Sequence, residues 1–205
     1  MKRLFIAFTL LASTISLTFA QQPTSTTATA PAVPPMRLTT TAFSDGGIIP
    51  IKFTQAAPGA APGGGTSPEL SWTNVPAGTQ SFVLHMHDVD VSRNKSTDDN
   101  LHWLVWNIPG TLTGLPEGIP GGAQLADGSY QVNLLTPSYR GPGAAASGPL
   151  HHYVFEIYAL DTKLDVKPST EGAEKGLETR SNVLKALQGH VLGKAAYVGL
   201  FKRPQ

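Results

Sequence analysis

Two polar side chains suited to binding or proton transfer stand at the ends of apolar runs in the middle of the chain. Asp88 follows the β-prone run 81–86, and His102 immediately precedes a second apolar run, 103–108. A carboxylate beside an imidazole can orient the ring, sustain its protonated form or accept a proton from a ligand. If the two runs pair as neighbouring strands, both side chains lie at one end of a sheet and form a small site.

Three further places carry residues of similar chemistry. They are Asp90, the segment 139–142 with the sequence YRGP, and the pair His151 and Tyr153. These places are far apart in the sequence, so spacing alone does not show that they meet.

The elements that must position these side chains are predominantly short strands. Aromatic and β-branched residues favour strands, and the run after His102 lacks a clean alternation, which predicts a strand buried on both faces. The predicted strands cover residues 70–72, 81–86, 102–108, 152–160 and 195–201. Many short strands with turn signals and a late helix predict a mostly-β domain over residues 36–205.

One helix is predicted just before the last strand. Ser181 is a suitable N-cap, and Val183, Leu187 and Val191 would lie on one face of the helix. His190 falls in the same helix, where it would pack against the sheet or lie at the surface.

The first 35 residues differ in composition from the rest of the chain. Residues 1–20 begin with Lys2 and Arg3, continue as an apolar run and end in small residues, which is the pattern of a secretory signal peptide cleaved after Ala20. Residues 21–35 are rich in Thr, Ala and Pro and predict a flexible tether. The sequence therefore predicts a secreted, periplasmic protein.

Charge and composition argue against a nucleic-acid partner and against stabilisation by disulfide bonds. Removing residues 1–20 takes away two cations and no acid, so the formal net charge of +1 becomes −1, and we expect no nucleic-acid partner. The chain has no cysteine, so no disulfide framework supports an exported fold.

The order of several short motifs resembles the phosphatidylethanolamine-binding protein family, in its bacterial Raf kinase inhibitor-like branch. The motifs are SPELSW, PAGTQSFVL followed by Asp-Val-Asp, HW, WNIP, LPEG, YRGP, HHYVFEIYALD and NVLKALQGHVLGKAAYVGLF. Together they cover most of the chain after about Arg37, and their order is more specific than any one of them.

The resemblance implies a β-sandwich with a few short peripheral helices, one of them near the C-terminus. It also implies a small pocket for an anionic head group, and it permits transient contact with phospholipid head groups and a homodimer. Carried over residue by residue, the pocket consists of Asp88, His102, Gly141, His151 and Tyr153, with Asp90 and Pro142 as supporting residues.

The chemistry of such a pocket is coherent. Two imidazoles can donate hydrogen bonds to phosphoryl oxygens, and backbone N–H groups of the turn near Gly141 can add more. Asp88 would orient a histidine and hold its proton. We therefore expect an exported binding protein that holds an anionic or phosphorylated head group without covalent chemistry.

The chain departs from the family pattern at the rim of this pocket. Relatives commonly read Asp-Pro-Asp-Ala-Pro where this chain has Val89 and Ser92 in place of the prolines, and Gly143 begins a Gly-Ala-Ala-Ala stretch in place of further prolines. A softer rim predicts weaker or broader ligand selection, because pre-organisation is reduced.

A metal site is an alternative use of the histidines. His85 and His87 lie at positions i and i+2, with His102, His151 and His152 elsewhere, and imidazoles with a carboxylate bind Zn²⁺ or Cu²⁺. The two-residue period of a strand places Asp88 on the opposite face from His85 and His87. We therefore expect no metal and no other cofactor.

Two other functions remain open from the sequence. A hydrolase would use Asp88 as the base, with His102 and His151 stabilising charge on a phosphoester or acyl substrate. An inhibitor of an extracytoplasmic enzyme would present the polar loop 90–100, which is expected to cross the mouth of the site. The chain has no Gly-x-Ser-x-Gly elbow and no phosphate-binding glycine loop.

Overall fold

Two β-sheets form the framework of the protein in a computed structural model that describes residues 34–60, 63–169 and 175–205. The elements in chain order are β1 (Arg37–Thr39), β2 (Gly47–Ile48), a 3-10 turn (Ile51–Phe53), β3 (Leu70–Thr73), β4 (Ser81–Asp88), β5 (Asn100–Pro109), β6 (Gly114–Leu115), β7 (Tyr130–Val132), β8 (His151–Leu160), α1 (Lys175–Ala186) and β9 (Val191–Phe201).

The larger sheet has six strands and the smaller has three. The larger has the order β2-β9-β8-β4-β5-β7, and the smaller the order β1-β3-β6. Strand β4 pairs antiparallel with both β5 and β8, so its last residue lies beside the first residues of its two neighbours. The predicted pairing of the two apolar runs and the predicted mostly-β fold are confirmed.

Two hydrophobic clusters bury the two faces of the larger sheet. One cluster fills the space between the sheets, and the other lies between the larger sheet and α1. The first contains Trp72, Phe82, Met86, Trp103 and Phe155; the second contains Val83, Leu104, Trp106, Val183 and Leu187. Because successive strand residues face opposite sides, β4 and β5 contribute to both clusters. The prediction that the strand after His102 is buried on both faces is confirmed.

Strand β5 contains two irregularities in its pairing with β4. Met86 pairs with Trp103 and His87 pairs with Leu101, so His102 is an extra residue in the ladder. Asn107 is a second extra residue and adopts a positive φ of 59°. A β-bulge re-aims a side chain locally, and the first one affects the candidate site directly.

Helix α1 is confirmed in type and position, but its predicted start is wrong. Ser181 lies inside the helix rather than at its N-cap, because the described helix already includes Lys175. Gly176 made the first turn of the helix hard to predict from the sequence, since glycine is a weak helix former. Val183 and Leu187 are buried as predicted, whereas Val191 is exposed and begins β9.

His190 follows the helix rather than lying in it. The ring is about half exposed, and its Nδ1 is 2.8 Å from a carboxylate oxygen of Asp161. The predicted surface position is therefore the one observed.

The predicted signal peptide, residues 1–20, lies outside the described residues, as does the predicted tether, residues 21–35, apart from its last two positions. Within the described ranges, no helix has the length and apolar character that crossing a membrane requires.

Candidate functional site

The predicted site residues converge at the end of β4 where β5 and β8 begin. Asp88 pairs with Asn100 on one side and with Tyr153 on the other. A cavity of about 130 Å³ at this edge is lined by Asp88, His102, His151 and Tyr153. The remaining residues of its wall are Gln55, Val91, Asn100, Arg140, Gly143 and Ala144.

Asp88 and His151 form a directly bonded pair across β4 and β8. The Nδ1 atom of His151 lies 2.8 Å and 3.1 Å from the two carboxylate oxygens of Asp88, and the Asp90 backbone N–H donates to the same carboxylate at 3.1 Å. Asp88 is almost completely buried, whereas His151 is partly exposed. Because Nδ1 is engaged, Nε2 is the ring nitrogen that His151 can offer to a ligand. Asp88 therefore has the orienting position expected of it.

His102 enters the site through the first β-bulge and is held by Arg140. Its Nδ1–H donates to the Arg140 carbonyl at 2.9 Å, and the Arg140 N–H donates to the His102 carbonyl at 3.1 Å. The Asn100 side-chain amide donates to Nε2 at 3.1 Å. Burial lowers the pKa of His102 to about 4, against an opposing effect of the hydrogen bond to Arg140.

A neutral His102 with both nitrogens engaged has no N–H left for a ligand. This differs from the expectation that two imidazoles donate to an anion. Its contacts instead fix the backbone that carries Arg140.

Tyr153 bridges the floor of the cavity to the segment after the Gly-Pro turn. Its hydroxyl oxygen accepts hydrogen bonds from the N–H groups of Gly143 at 3.2 Å and Ala144 at 3.1 Å. Burial, and then the charge of Asp88, raise the pKa of Tyr153 well above its usual range. The hydroxyl therefore keeps its proton and can donate it.

Arg140 is a candidate site residue that was not predicted from the sequence. Arg140 is one of the residues that line the cavity, and its buried Nε has no hydrogen-bond partner among the residues that the structure describes. Burial, and then the positive charge of Arg93, lower the pKa of Arg140. A cation directly before the Gly-Pro turn was the available sequence signal.

Gly141 and Pro142 lie behind the cavity wall rather than in it. The Gly141 N–H donates to the Gly64 carbonyl at 3.0 Å, and the Gly141 carbonyl accepts from the Gln55 side chain at 2.7 Å. The Pro142 carbonyl accepts from the Gln55 N–H at 2.9 Å. The backbone that was expected to bind an anion at Gly141 is thus engaged within the protein. A Cβ at Gly141 would overlap the Gly64 carbonyl, which explains the glycine.

Asp90 supports the site from outside the cavity wall. Its carboxylate accepts a hydrogen bond of 2.6 Å from the His152 N–H and lies 3.0 Å from the His152 ring. Asp90 therefore ties the loop after β4 to the start of β8.

His85 and His87 lie on the other face of the larger sheet, toward α1, as the two-residue period predicts. They line a separate cavity together with Glu156 of β8. Neither histidine is among the residues of the wall around Asp88.

Comparisons with known proteins bear on the family and the fold of the chain. The family model described as phosphatidylethanolamine-binding protein matches residues 39–202. The UPF0098 protein of Methanothermobacter thermautotrophicus is 42% identical over 170 residues, which cover 82% of this chain and 99% of that protein. The UPF0098 protein YbhB of Escherichia coli is 32% identical over 152 residues, covering 73% of this chain and 94% of YbhB.

Solved structures show the same fold. A phosphatidylethanolamine-binding protein homolog from Chlamydia trachomatis superposes with a TM-score of 0.62 at 29% identity, covering 82% of this chain and 98% of the homolog. YbcL of Escherichia coli superposes with a TM-score of 0.61 at 24% identity, covering 82% of this chain and 98% of YbcL, and supports the fold alone. From the matched family model, the relatives and the shared fold, the chain belongs to the phosphatidylethanolamine-binding protein family.

Proposed function

We propose that this chain is an exported, non-catalytic binding protein that holds a small anion or phosphorylated head group in the cavity beside Asp88. The observation that carries the proposal is Arg140, a residue of the cavity wall whose buried guanidinium Nε lacks a hydrogen-bond partner within the described ranges. A buried polar atom without a partner is unfavourable. An anion in the cavity would supply that partner.

The charges around the cavity favour an anion as well. Burial and the nearby charge of Arg93 both destabilise the charged form of Arg140. A bound negative charge would offset both effects. The hydrogen bond from the His151 ring offsets part of the repulsion that the Asp88 carboxylate exerts on such a ligand. The groups offered to a ligand are therefore the Arg140 guanidinium, the His151 Nε2 and the Tyr153 hydroxyl.

The size of the cavity limits the ligand class. Its volume of about 130 Å³ corresponds to about four water molecules of liquid. Pockets that enclose drug-sized ligands are about 300 Å³ or more. The cavity fits a phosphate-sized group and not an acyl chain, so any phospholipid would be bound through its head group.

Isothermal titration of the purified protein with inorganic phosphate and with phosphoethanolamine tests the proposal. Arg140→Gln should weaken binding by about 10- to 100-fold, since a hydrogen bond to a charged group contributes about 1.5–3 kcal/mol. Arg37→Gln, at an exposed arginine of β1, is the matched control and should bind as the wild type does. Unchanged binding by a folded Arg140→Gln variant would overturn the proposal.

The same preparation separates binding from hydrolysis. A panel of chromogenic phosphoesters and acyl esters should show no turnover above background. Turnover that disappears in Asp88→Asn would replace the binding proposal with a hydrolase that uses Asp88 as its base.

Export to the periplasm is proposed from the composition of residues 1–20. Fractionation of cells that express the full chain should recover a periplasmic protein whose intact mass corresponds to a chain beginning at Gln21. Recovery of the uncleaved chain in the cytoplasm would contradict this part of the proposal.

A further inference from the structure

A second cluster of potential ligand residues lies on the α1 face of the larger sheet. His85 and His87 are two residues apart on β4, and Glu156 of β8 is the direct cross-strand partner of His85. Residues i and i+2 of a strand project from the same face. The pairing thus brings two imidazoles and one carboxylate together on the face opposite the anion cavity.

His85 is the unexplained member of this cluster. Its side chain is 4% exposed, and neither ring nitrogen has a hydrogen-bond partner among the described residues. Buried polar atoms are nearly always paired, so an orphaned pair of nitrogens requires an explanation.

The distances between the potential ligand atoms match a metal coordination sphere. Oε2 of Glu156 lies 3.6 Å from Nδ1 of His85 and 3.3 Å from Nε2 of His87. Two ligands bound tetrahedrally at about 2.1 Å from zinc are separated by about 3.4 Å. Ligand atoms of the three residues all lie within 4.8 Å of one another.

A carboxylate already orients His87 in the way that metal-bound histidines require. Nδ1 of His87 is hydrogen-bonded to Asp99, which is held in turn by the buried Arg180 of α1 at 2.5 Å. Metal-bound histidines commonly donate their second nitrogen to a carboxylate, which fixes the ring. This bond directs Nε2 of His87 toward Glu156.

An ion pair without a metal explains only part of this arrangement. A protonated His87 between Asp99 and Glu156 would be satisfied by those two carboxylates. The same pairing leaves His85 buried beside His87, their rings parallel with centroids 4.2 Å apart, and without a hydrogen bond. A shared cation would engage both rings.

We propose that His85, His87 and Glu156 bind a divalent first-row transition metal, with zinc as the reference ion, on the α1 face of the sheet. The three ligands also line a cavity of about 420 Å³. Three protein ligands with an open position toward a cavity are typical of a metal site that keeps an exchangeable water or small ligand.

Zinc titration of the untagged, chelator-treated protein by calorimetry tests the site. We expect one equivalent of Zn²⁺ to bind, and Co²⁺ to give the strong visible absorption of a tetrahedral ion. His85→Phe and Glu156→Gln should each weaken Zn²⁺ binding by at least about 100-fold, because each removes a ligand. Asp99→Asn should weaken it by about 10- to 100-fold.

His190→Gln is the matched control, since that exposed histidine also pairs with an aspartate and lies outside the cluster. It should bind Zn²⁺ as the wild type does. Wild-type protein that binds no Zn²⁺, Co²⁺ or Ni²⁺ would overturn the proposal. Binding that survives in His85→Phe and is lost in His151→Phe would overturn it too, by placing the metal in the anion cavity. Circular dichroism of each variant verifies that it is folded.

Discussion

Two histidines of this protein have pKa values shifted in opposite directions, because their hydrogen-bond partners differ. His102 is buried and its hydrogen bonds are made with a backbone carbonyl and an amide, so burial lowers its pKa to about 4. Burial also acts to lower the pKa of His87, but hydrogen bonds to Asp99 and Glu156 raise it to about 9. The difference follows from whether a carboxylate bonds directly to the ring.

The neutral ring of His102 predicts a loss of stability in mild acid. An unfolded histidine takes up a proton below about pH 6.5, whereas folded His102 does so only near pH 4. The unfolded state therefore binds more protons across this window, and the free energy of unfolding falls as the pH falls. The contribution of His102 between pH 6.5 and pH 4 is about 3 kcal/mol.

Urea denaturation at several pH values between 4 and 7 measures this effect. His102→Gln keeps a polar side chain without a titrating ring, and its stability should depend less steeply on pH than that of the wild type. The charged and titratable groups facing His102 are Asp88, Arg140, His151 and Tyr153, and all stay in place. His190→Gln is the control for removing a histidine elsewhere. Equal slopes for the His102→Gln and His190→Gln variants would contradict the prediction.

At the scale of elements, strand pairing was predictable and strand irregularity was not. Apolar runs around Asp88 and His102 predict strands because burial on a pleated surface favours those residue types. The β-bulge at His102 leaves no comparable signal, since it depends on how β4 and β5 align. The role of His102 changed accordingly, from a ligand donor to a residue that holds Arg140.

The residues of the candidate site were likewise only partly predictable from the sequence. Asp88 and His102 stand out in the sequence as polar residues at the ends of apolar runs, whereas His151 was assigned to the pocket through the resemblance to the family. Arg140 and Gly141 occupy an irregular segment, where the direction of each backbone group depends on distant contacts, such as the one between Gly141 and Gly64. Long-range contacts of this kind cannot be read from residue type.

Helix α1 docks through a glycine, which leads to a prediction about packing. A Cβ on Gly176 would overlap the Asn133 carbonyl oxygen and approach Leu134. Alanine favours a helix over glycine by up to about 1 kcal/mol, but overpacking costs about 1–3 kcal/mol. We expect Gly176→Ala to lower the free energy of unfolding by about 1–2 kcal/mol, measured by urea denaturation.

Asn182→Ala is the matched control in the same helix. Asn182 is exposed, so this change alters helix propensity without a packing cost, and stability should stay the same or rise by about 0.5 kcal/mol. If Gly176→Ala stabilised the protein as well, α1 would have to pack less tightly on residues 133–134 than the structure shows.

At the scale of the whole molecule, the larger sheet separates two chemical environments. Strand β4 contributes to both: Asp88 lines the smaller cavity at its end, and His85 and His87 face α1. Backbone ladders with β5 and β8 hold β4 on both sides. His85 and His87 project from the opposite face of β4 to Asp88, so a ligand on one face makes no direct contact with the side chains on the other.

We therefore predict that the two proposed sites act independently. Glu156→Gln should weaken zinc binding by at least about 100-fold and leave phosphate affinity within about twofold of the wild type. Arg140→Gln should weaken phosphate binding by about 10- to 100-fold and leave zinc affinity within about twofold. Groups more than about 7–10 Å apart that share no partner usually couple by no more than about 0.5 kcal/mol, which is about a twofold change in affinity. Calorimetric titration of phosphate with and without saturating Zn²⁺ measures the coupling between the two sites directly. A tenfold change would show that the adjacent residues His87 and Asp88 transmit binding through β4.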